Sequence, residues 1–494
     1  MAYQRKYRTN NNKKYQKKEL PRIPRFTCEW SDLQKAIFSD VGFGSGNTQV
    51  NAYAGTGKTT TLVEALYHVS HVSCKALMCA FNKDIKIEMS RRVPNSVDTA
   101  TIHSLGFSAA KNAFGKNCCF DANKTKGYIY SIIGEEREKF ELRNAVDKAV
   151  GLAKGYLADT PEKIEEIMDR HDIDSCGETS ETFCGMVLNV MEATKKDTNR
   201  VDYNDMIWLP LVYDCSFTKY GLILVDEAQD LNASQIEVVM RSLAENGRII
   251  SCGDRRQAIY GWRGADRFAI DNIVKRCNSK ELPLSITYRC AKNIVAMVKY
   301  IVPGLEAHES APEGIVEDMS PAKMVSNAGP GDFVLSRTNA PLIKYCLAFL
   351  KAGVPANIKG RDVGEQLTSL IKKSNTKDIP SLLSWLDAWA MKERMRLAAL
   401  KRDSSLLDDK VECLVVLSEN VDSIPELNSN IDRMFYEGND HDRVILSSTH
   451  KAKGLERDRV WMLKNTYHPE KGDEEENLFY VACTRAKKCL YMVG

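Results

Sequence analysis

An α/β protein of two parallel-sheet domains, each carrying an α-helical insertion, is the fold this chain predicts. Short apolar, strand-like runs recur in two separate sets, and helical stretches lie between the runs of each set. Two long stretches of charged, helix-period sequence interrupt the alternation. The 494 residues allow about three or four domains. With 43% hydrophobic and 27% charged residues the chain can bury several cores, which excludes wholesale disorder.

The elements follow in order. Residues 1–25 hold nine Lys or Arg against Glu19 alone, so this stretch carries +8 and leaves −5 for the rest of a chain whose net charge is +3. It has too few aliphatic residues to offset chain entropy and predicts a disordered basic arm. Strand-like runs at 48–54, 74–80, 222–225 and 248–252 predict a first sheet domain in two parts, residues 26–106 and 201–275. Between the parts, helix-period sequence such as 135–152 and 160–170 predicts a helical insertion over 107–200. A second set of runs at 332–335, 444–448, 459–463 and 489–493 predicts a second domain, residues 276–371 and 441–494. The helical block 379–417 falls in a shorter insertion over 372–440. No uninterrupted apolar run approaches the ~18 residues of a membrane span, and the N-terminus is too basic and polar for a secretory signal, so a soluble intracellular protein is expected. Fifteen cysteines without a C-x-x-C pair give no support for a structural metal.

Chemistry enters at Ala52-Tyr53-Ala54-Gly55-Thr56-Gly57-Lys58-Thr59, which follows a strand-like run and precedes the predicted helix 60–69. That context is the one a phosphate-binding loop requires. Gly55 and Gly57 let backbone N–H groups curl around an anion, Lys58 reaches β/γ oxygens, and the Thr59 hydroxyl suits Mg²⁺. Ala54, Thr56 and Thr60 complete the expected nucleotide contacts. A second apolar run, Leu222-Ile223-Leu224-Val225, ends in Asp226-Glu227. Two carboxylates at the C-terminal end of a buried strand suit a metal ligand, Asp226, and a group that positions or deprotonates water, Glu227.

Asp226-Glu227-Ala228-Gln229-Asp230, followed by Gly253-Asp254-Arg255-Arg256-Gln257-Ala258-Ile259-Tyr260-Gly261-Trp262-Arg263-Gly264-Ala265, resembles the UvrD/Rep/PcrA family of superfamily 1 helicases. Further segments match in order: Ser31-Asp32-Leu33-Gln34, Ala80-Phe81-Asn82-Lys83, Thr101-Ile102-His103 and Val201-Asp202-Tyr203-Asn204-Asp205. In the second half come Thr287-Tyr288-Arg289, the run from Ser448 to Glu456, and the run from Phe479 to Ala486. The resemblance implies two RecA-like motor domains with ATP and Mg²⁺ in the cleft between them. It implies that Gln34 reads adenine, Tyr288 stacks on it, Glu456 contacts ribose, Gln257 senses the γ-phosphate, and Arg289 and Arg485 stabilise its charge. It also implies DNA contacts at Phe81, Asn82, His103, Tyr260, Trp262, Arg263, Thr449 and His450, and 3′ to 5′ polarity.

Residue chemistry supports part of this independently. Tyr260, Trp262 and Phe81 suit stacking on unpaired bases, and two glycines with an Arg around Trp262 make a poor core strand but a good exposed platform. Single Arg and His residues are more often structural. The chain departs from the family in two places. The second insertion is much shorter than the 2B subdomain of larger relatives, and Thr60 stands where relatives often place an Arg. The reading is an ATP-dependent DNA helicase, with a protein-stripping translocase or an ATP-switched loading factor as rivals. Expected partners are single-stranded DNA, tailed or forked duplex DNA, and replication or recombination proteins, with no membrane.

Overall fold

A computed structural model of the chain describes residues 21–69, 75–80, 82–115, 117–171, 173–261, 268–399, 404–419, 421–435 and 442–494. Residues 1–20 of the predicted arm, together with Phe81, Trp262 and Arg263, lie outside the described residues.

Sixteen strands are described. In chain order they are β1 (Thr48–Ala52), β2 (Ala76–Ala80), β3 (Val97–Thr101), β4 (Cys119–Phe120), β5 (Arg200–Val201), β6 (Tyr220–Val225), β7 (Leu243–Gly253) and β8 (Lys280–Leu284). Then follow β9 (Ile286–Thr287), β10 (Glu306–Ala307), β11 (Ile315–Met319), β12 (Phe333–Ser336), β13 (Ala356–Ile358), β14 (Val444–Ser448), β15 (Arg457–Leu463) and β16 (Ala486–Val493). They form two six-stranded sheets, ordered β3-β2-β6-β7-β1-β8 and β11-β16-β15-β12-β14-β13, in which neighbouring strands run parallel. Every predicted run is a strand. The sequence reading missed β3, β8, β11 and β13, which are short or polar and owe their place to sheet pairing rather than to their own hydrophobicity.

β2 and β6 read as continuous apolar runs because parallel strands are covered on both faces. One side of the first sheet carries Leu77, Ile223 and Ile249, and the other carries Val50, Met78, Leu224 and Ile250. The sites that matter lie at the C-terminal ends of β1, β6 and β7, where an open parallel sheet leaves a crevice.

The two insertions are built differently. Helices Lys124–Ile133, Phe140–Tyr156, Pro161–His171 and Ser180–Lys196 pack around a core of their own, with Val146, Val150, Phe183 and Val187 at its centre. The predicted start near residue 135 moves to Phe140, because a 3₁₀ turn at Arg137–Lys139 precedes the helix. In the second block, Ile379–Ala399 and Ser405–Ser418 are separate helices, followed by Ile424–Met434. Their Leu382, Leu386, Leu414 and Leu427 share one core with Val334, Val444 and Trp461 of the second sheet. This block covers the sheet rather than standing apart from it.

Candidate functional site

The loop after β1 turns tightly into helix Lys58–Leu66, with Gly55 and Gly57 both in left-handed conformation (φ 73° and 78°). Gly57 caps the helix, so the first N–H groups of that helix are unpaired by helical bonds and suit an anion. Gly55 is constrained a second way: a Cβ there would meet Thr287 Oγ1 and Arg289 Cβ at 2.5 Å. The second half of the site therefore lies directly on this loop. The Tyr288 N–H donates to Gly55 O at 2.9 Å. The Ala54 N–H donates to Tyr480 Oη at 2.8 Å, and that hydroxyl in turn donates to Asp254 Oδ2 at 3.0 Å.

Asp226 emerges from β6, and the hydroxyl of Thr59 donates to its carboxylate. Its other oxygen accepts the Glu227 N–H at 2.9 Å. A threonine hydroxyl beside a buried carboxylate is an all-oxygen donor set that fits a small hard cation such as Mg²⁺. Glu227 is left-handed (φ 52°), an uncommon conformation for a non-glycine residue, and it marks the strand end as a place where backbone strain is retained. Burial, reinforced by the neighbouring Glu227 charge, raises the Asp226 carboxyl. Glu227 is also penalised by burial, but the Lys58 and Lys453 ammonium groups outweigh it and hold this carboxyl below its ordinary value. Burial works to lower Lys58, yet Glu227, Asp254 and Asp226 raise it overall. The result is one cation held amid three carboxylates, a setting that polyanionic phosphate would reorganise.

The second sheet contributes the opposite charge. Arg485 is 1% exposed, and its guanidinium donates to Val481 O (2.8 Å), Leu455 O (3.2 Å) and Thr484 Oγ1 (3.2 Å). Among the described residues no carboxylate pairs with it, and burial with Arg289 nearby lowers it to about 10. Arg289 pairs with Glu456 and donates to Thr484 O at 3.3 Å. Glu456 is also held by Lys487 at 2.8 Å, so in this structure its carboxylate orients Arg289. Gln257 Nε2 donates to Asp254 Oδ2 at 2.7 Å, beside the Tyr480 hydroxyl.

At the base end, Gln34 lies in the capping box of helix Asp32–Phe43, with its Oε1 accepting the Ser31 N–H at 3.0 Å and its Nε2 donating to Thr61 Oγ1 at 3.2 Å. The Tyr288 hydroxyl reaches Gln34 Oε1 at 3.2 Å, joining the two predicted base contacts. Both line an open cavity of about 950 Å³, with Gly57 and Thr60 also on its wall.

The halves are joined near the phosphate end by Lys453. Its ammonium donates to Asp230 Oδ1 (2.7 Å), Asp230 Oδ2 (2.8 Å) and Gln257 O (2.7 Å), and lies 4.8 Å from the Tyr260 ring centroid. Burial raises Asp230 to about 6 even though Lys453 pulls it down. Gln229 links Glu227 to Asp254, donating to the first and accepting the backbone N–H of the second at 3.1 Å. Sequence reading did not assign Asp254, Tyr480, Gln229 or Lys453 as site residues, although each stands inside a quoted segment. Their roles depend on partners up to 426 residues away.

The expected DNA contacts are scattered in kind. Tyr260 Oη donates to His450 O at 3.0 Å, so these two stand together across the domain boundary. Thr449 is fully buried with its hydroxyl 2.6 Å from Tyr467 Oη, which leaves its side chain no surface to offer a strand. Asn82 caps helix Lys83–Ser90, accepting the Ile85 N–H at 2.9 Å. His103 lies edge-on to Tyr203 at 6.4 Å, and Tyr203 meets Phe120 at 4.7 Å. Tyr203 is 62% and Phe120 42% exposed, two large rings on the surface that residue-by-residue reading left unassigned.

Comparison with known proteins agrees with this geometry. Residues 33–278 match the UvrD/REP helicase N-terminal domain, and residues 360–494 match the UvrD-like helicase C-terminal domain. Similar proteins include F-box DNA helicase protein 1 of Schizosaccharomyces pombe, 26% identical across 90% of this chain and 55% of that protein. F-box DNA helicase 1 of Gallus gallus is 25% identical across 90% of this chain and 47% of its own length. ATP-dependent DNA helicase Rep of Buchnera aphidicola is 22% identical across 53% of this chain and 42% of that protein. The chain thus spans about half the length of the curated relatives it matches.

Proposed function

Because the chain belongs to the UvrD-like helicase family, we propose that it is an ATP-driven motor on single-stranded DNA that moves 3′ to 5′ and separates duplex strands. The observation that carries the reading is the split site: Lys58, Asp226 and Glu227 come from the first sheet domain, whereas Arg289 and Arg485 come from the second.

In this reading the loop N–H groups and Lys58 bind the phosphates, and Gln34 and Tyr288 hold the base. Thr59 and Asp226 would hold Mg²⁺, which supplies charge neutralisation of the phosphate oxygens when bound. Glu227 orients the attacking water and takes its proton. Arg485 and Arg289 offset charge on the transferring phosphoryl group, and Gln257 sits beside Asp254 to report its presence. Since two domains supply these groups, turnover requires cleft closure, and closure moves Tyr260 and His450 together against the strand. Hydrolysis reopens the cleft, and alternating grip becomes directed stepping.

A second reading, a translocase that strips proteins from single strands with little unwinding, is favoured by one feature. Among the described residues, the second insertion is merged into its sheet and forms no separate arm to engage a duplex. Strand displacement on duplexes with a 3′ tail, a 5′ tail or none separates the two. Displacement only from the 3′ tail supports the helicase and its polarity. DNA-stimulated hydrolysis without displacement transfers the assignment to the translocase.

A further inference from the structure

The base end of the cleft contains more recognition chemistry than Gln34 and Tyr288 supply. Thr60 lines this cavity, and its hydroxyl is taken by Arg92 Nη2 at 3.3 Å. No long cationic side chain can therefore extend from position 60 over a base. Three further aromatic side chains line the same cavity: Phe26 and Trp30, before the first helix, and His308, just after β10; Trp30 packs edge-on against Phe38, and the other two are the freer faces.

Each is positioned by its own anchoring. β10 pairs with β9 in the register Ala307 to Thr287, and the His308 N–H donates to Thr287 O at 3.0 Å, which sets His308 beside Tyr288. The two rings lie 4.9 Å apart at 35°. Ser310 lies against His308 Nδ1 through both its N–H (3.3 Å) and its Oγ (2.7 Å), an arrangement that suits the tautomer in which Nδ1 accepts and Nε2 carries the hydrogen. Phe26 stands on a segment fastened to the phosphate-loop helix. Arg25 Nε donates to both Glu64 oxygens (3.0 and 3.1 Å), its guanidinium lies 4.8 Å from the Tyr67 ring, and the Ile23 N–H donates to Arg91 O at 3.0 Å. The Phe26 ring touches Trp30 at 6.1 Å yet remains 56% exposed, an apolar face on a cavity large enough for a nucleoside.

We propose that Phe26 and His308 are base-selecting residues of the nucleotide site, Phe26 giving an apolar wall from the first domain and His308 backing Tyr288 from the second. Flat aromatic walls reward the larger ring system of a purine, and the His308 Nε2–H offers a donor to a ring nitrogen. The inference rests on the ATP-site reading and extends it to the source of base preference.

The test is a titration of fluorescent-labelled ADP, competed with ATP, CTP and inorganic tripolyphosphate, on the wild-type chain and on Phe26→Ala, Phe26→Trp and His308→Ala, with thermal melts to verify folding. Each alanine variant should weaken ADP binding about 3- to 10-fold and lower the ATP-over-CTP preference by a similar factor, with tripolyphosphate affinity unchanged. Phe26→Trp should retain both. KM for ATP should rise while kcat at saturation stays within about twofold. Unchanged ADP affinity and base preference in both alanine variants would overturn the inference alone. A wild-type chain that binds tripolyphosphate and ADP no better than Lys58→Ala would instead remove the ATP-site reading beneath it.

Discussion

In the nucleotide cleft, Asp226, Asp254, Gln257, Tyr480 and Arg485 are all buried, and the Tyr480 hydroxyl crosses between the two sheet domains to Ala54 and to Asp254, which Gln257 also bonds. On the surface near the first insertion, Phe120, Tyr203 and His103 contact one another edge-on, and the first two are largely open to solvent. Under the proposed function, the contrast follows from what each region would handle. Moving charge on a phosphoryl group calls for fixed dipoles and charges in a water-poor site, where each member depends on its neighbours. Gripping a strand whose sequence changes at each step calls for faces that accept any base, so exposure is tolerated and each ring acts nearly alone. A third element, Lys453, ties the cleft to Tyr260, with its charge on Asp230 and its ammonium against the Tyr260 ring.

This contrast ranks the expected effects. Arg289→Ala should cost most, about 10³-fold or more in kcat at saturating DNA, with ATP binding little changed. Stability should be nearly retained, because Lys487 still pairs with Glu456 at 2.8 Å. Steady-state hydrolysis alongside a thermal melt checks both. Next, Glu227→Gln should lower turnover about 10²- to 10⁴-fold while leaving nucleotide and DNA binding intact, since a carboxamide still fits but cannot accept the water proton. Near-normal turnover would take Glu227 out of the chemistry.

Lys453→Met should act on stability and coupling together. It leaves Asp230 buried without its cation, a loss of about 3–5 kcal/mol, and it should reduce the stimulation of ATP hydrolysis by DNA more than basal hydrolysis. It also makes a pH prediction. Burial raises Asp230 to about 6, so between about pH 4 and 6 the folded protein retains a proton the unfolded chain has released. This carboxyl's contribution to stability therefore falls as pH rises through that window and is constant above it. Removing Lys453 should push the upper limit higher, which carboxyl-carbon NMR titration of Asp230 would register. The smallest effect belongs to the surface: Tyr203→Ala should weaken single-strand binding by about 1–3 kcal/mol on any sequence, with the salt slope unchanged. A changed salt slope would mean that the ring supports a phosphate contact instead.

The same contrast explains what the sequence revealed. Gly55, Gly57, Lys58 and Thr59 are legible because a phosphate loop is local: the turn, the helix start and the ligands sit within eight residues. Asp226 and Glu227 are legible because a buried strand announces itself by continuous hydrophobicity. Tyr480 is not, since nothing near it in sequence reveals that its hydroxyl bridges Ala54 and Asp254. Polar strands such as β3 were missed because pairing, not composition, makes them strands. Thr449 was expected among the DNA contacts, and its burial against Tyr467 could be seen only once residues 18 positions apart were brought together. The merger of the second insertion with its sheet likewise rests on contacts among Leu386, Leu414 and Trp461 that helical period does not encode.

The most direct test of the account is ATP hydrolysis by the wild-type chain with and without saturating single-stranded DNA, at saturating ATP. A site divided between two domains, with Tyr260 bonded to His450 across them and the strand bound there as proposed, predicts that DNA raises kcat by at least about tenfold. Equal turnover with and without DNA would contradict it, because the arginines would then reach the phosphate without any closure driven by the strand.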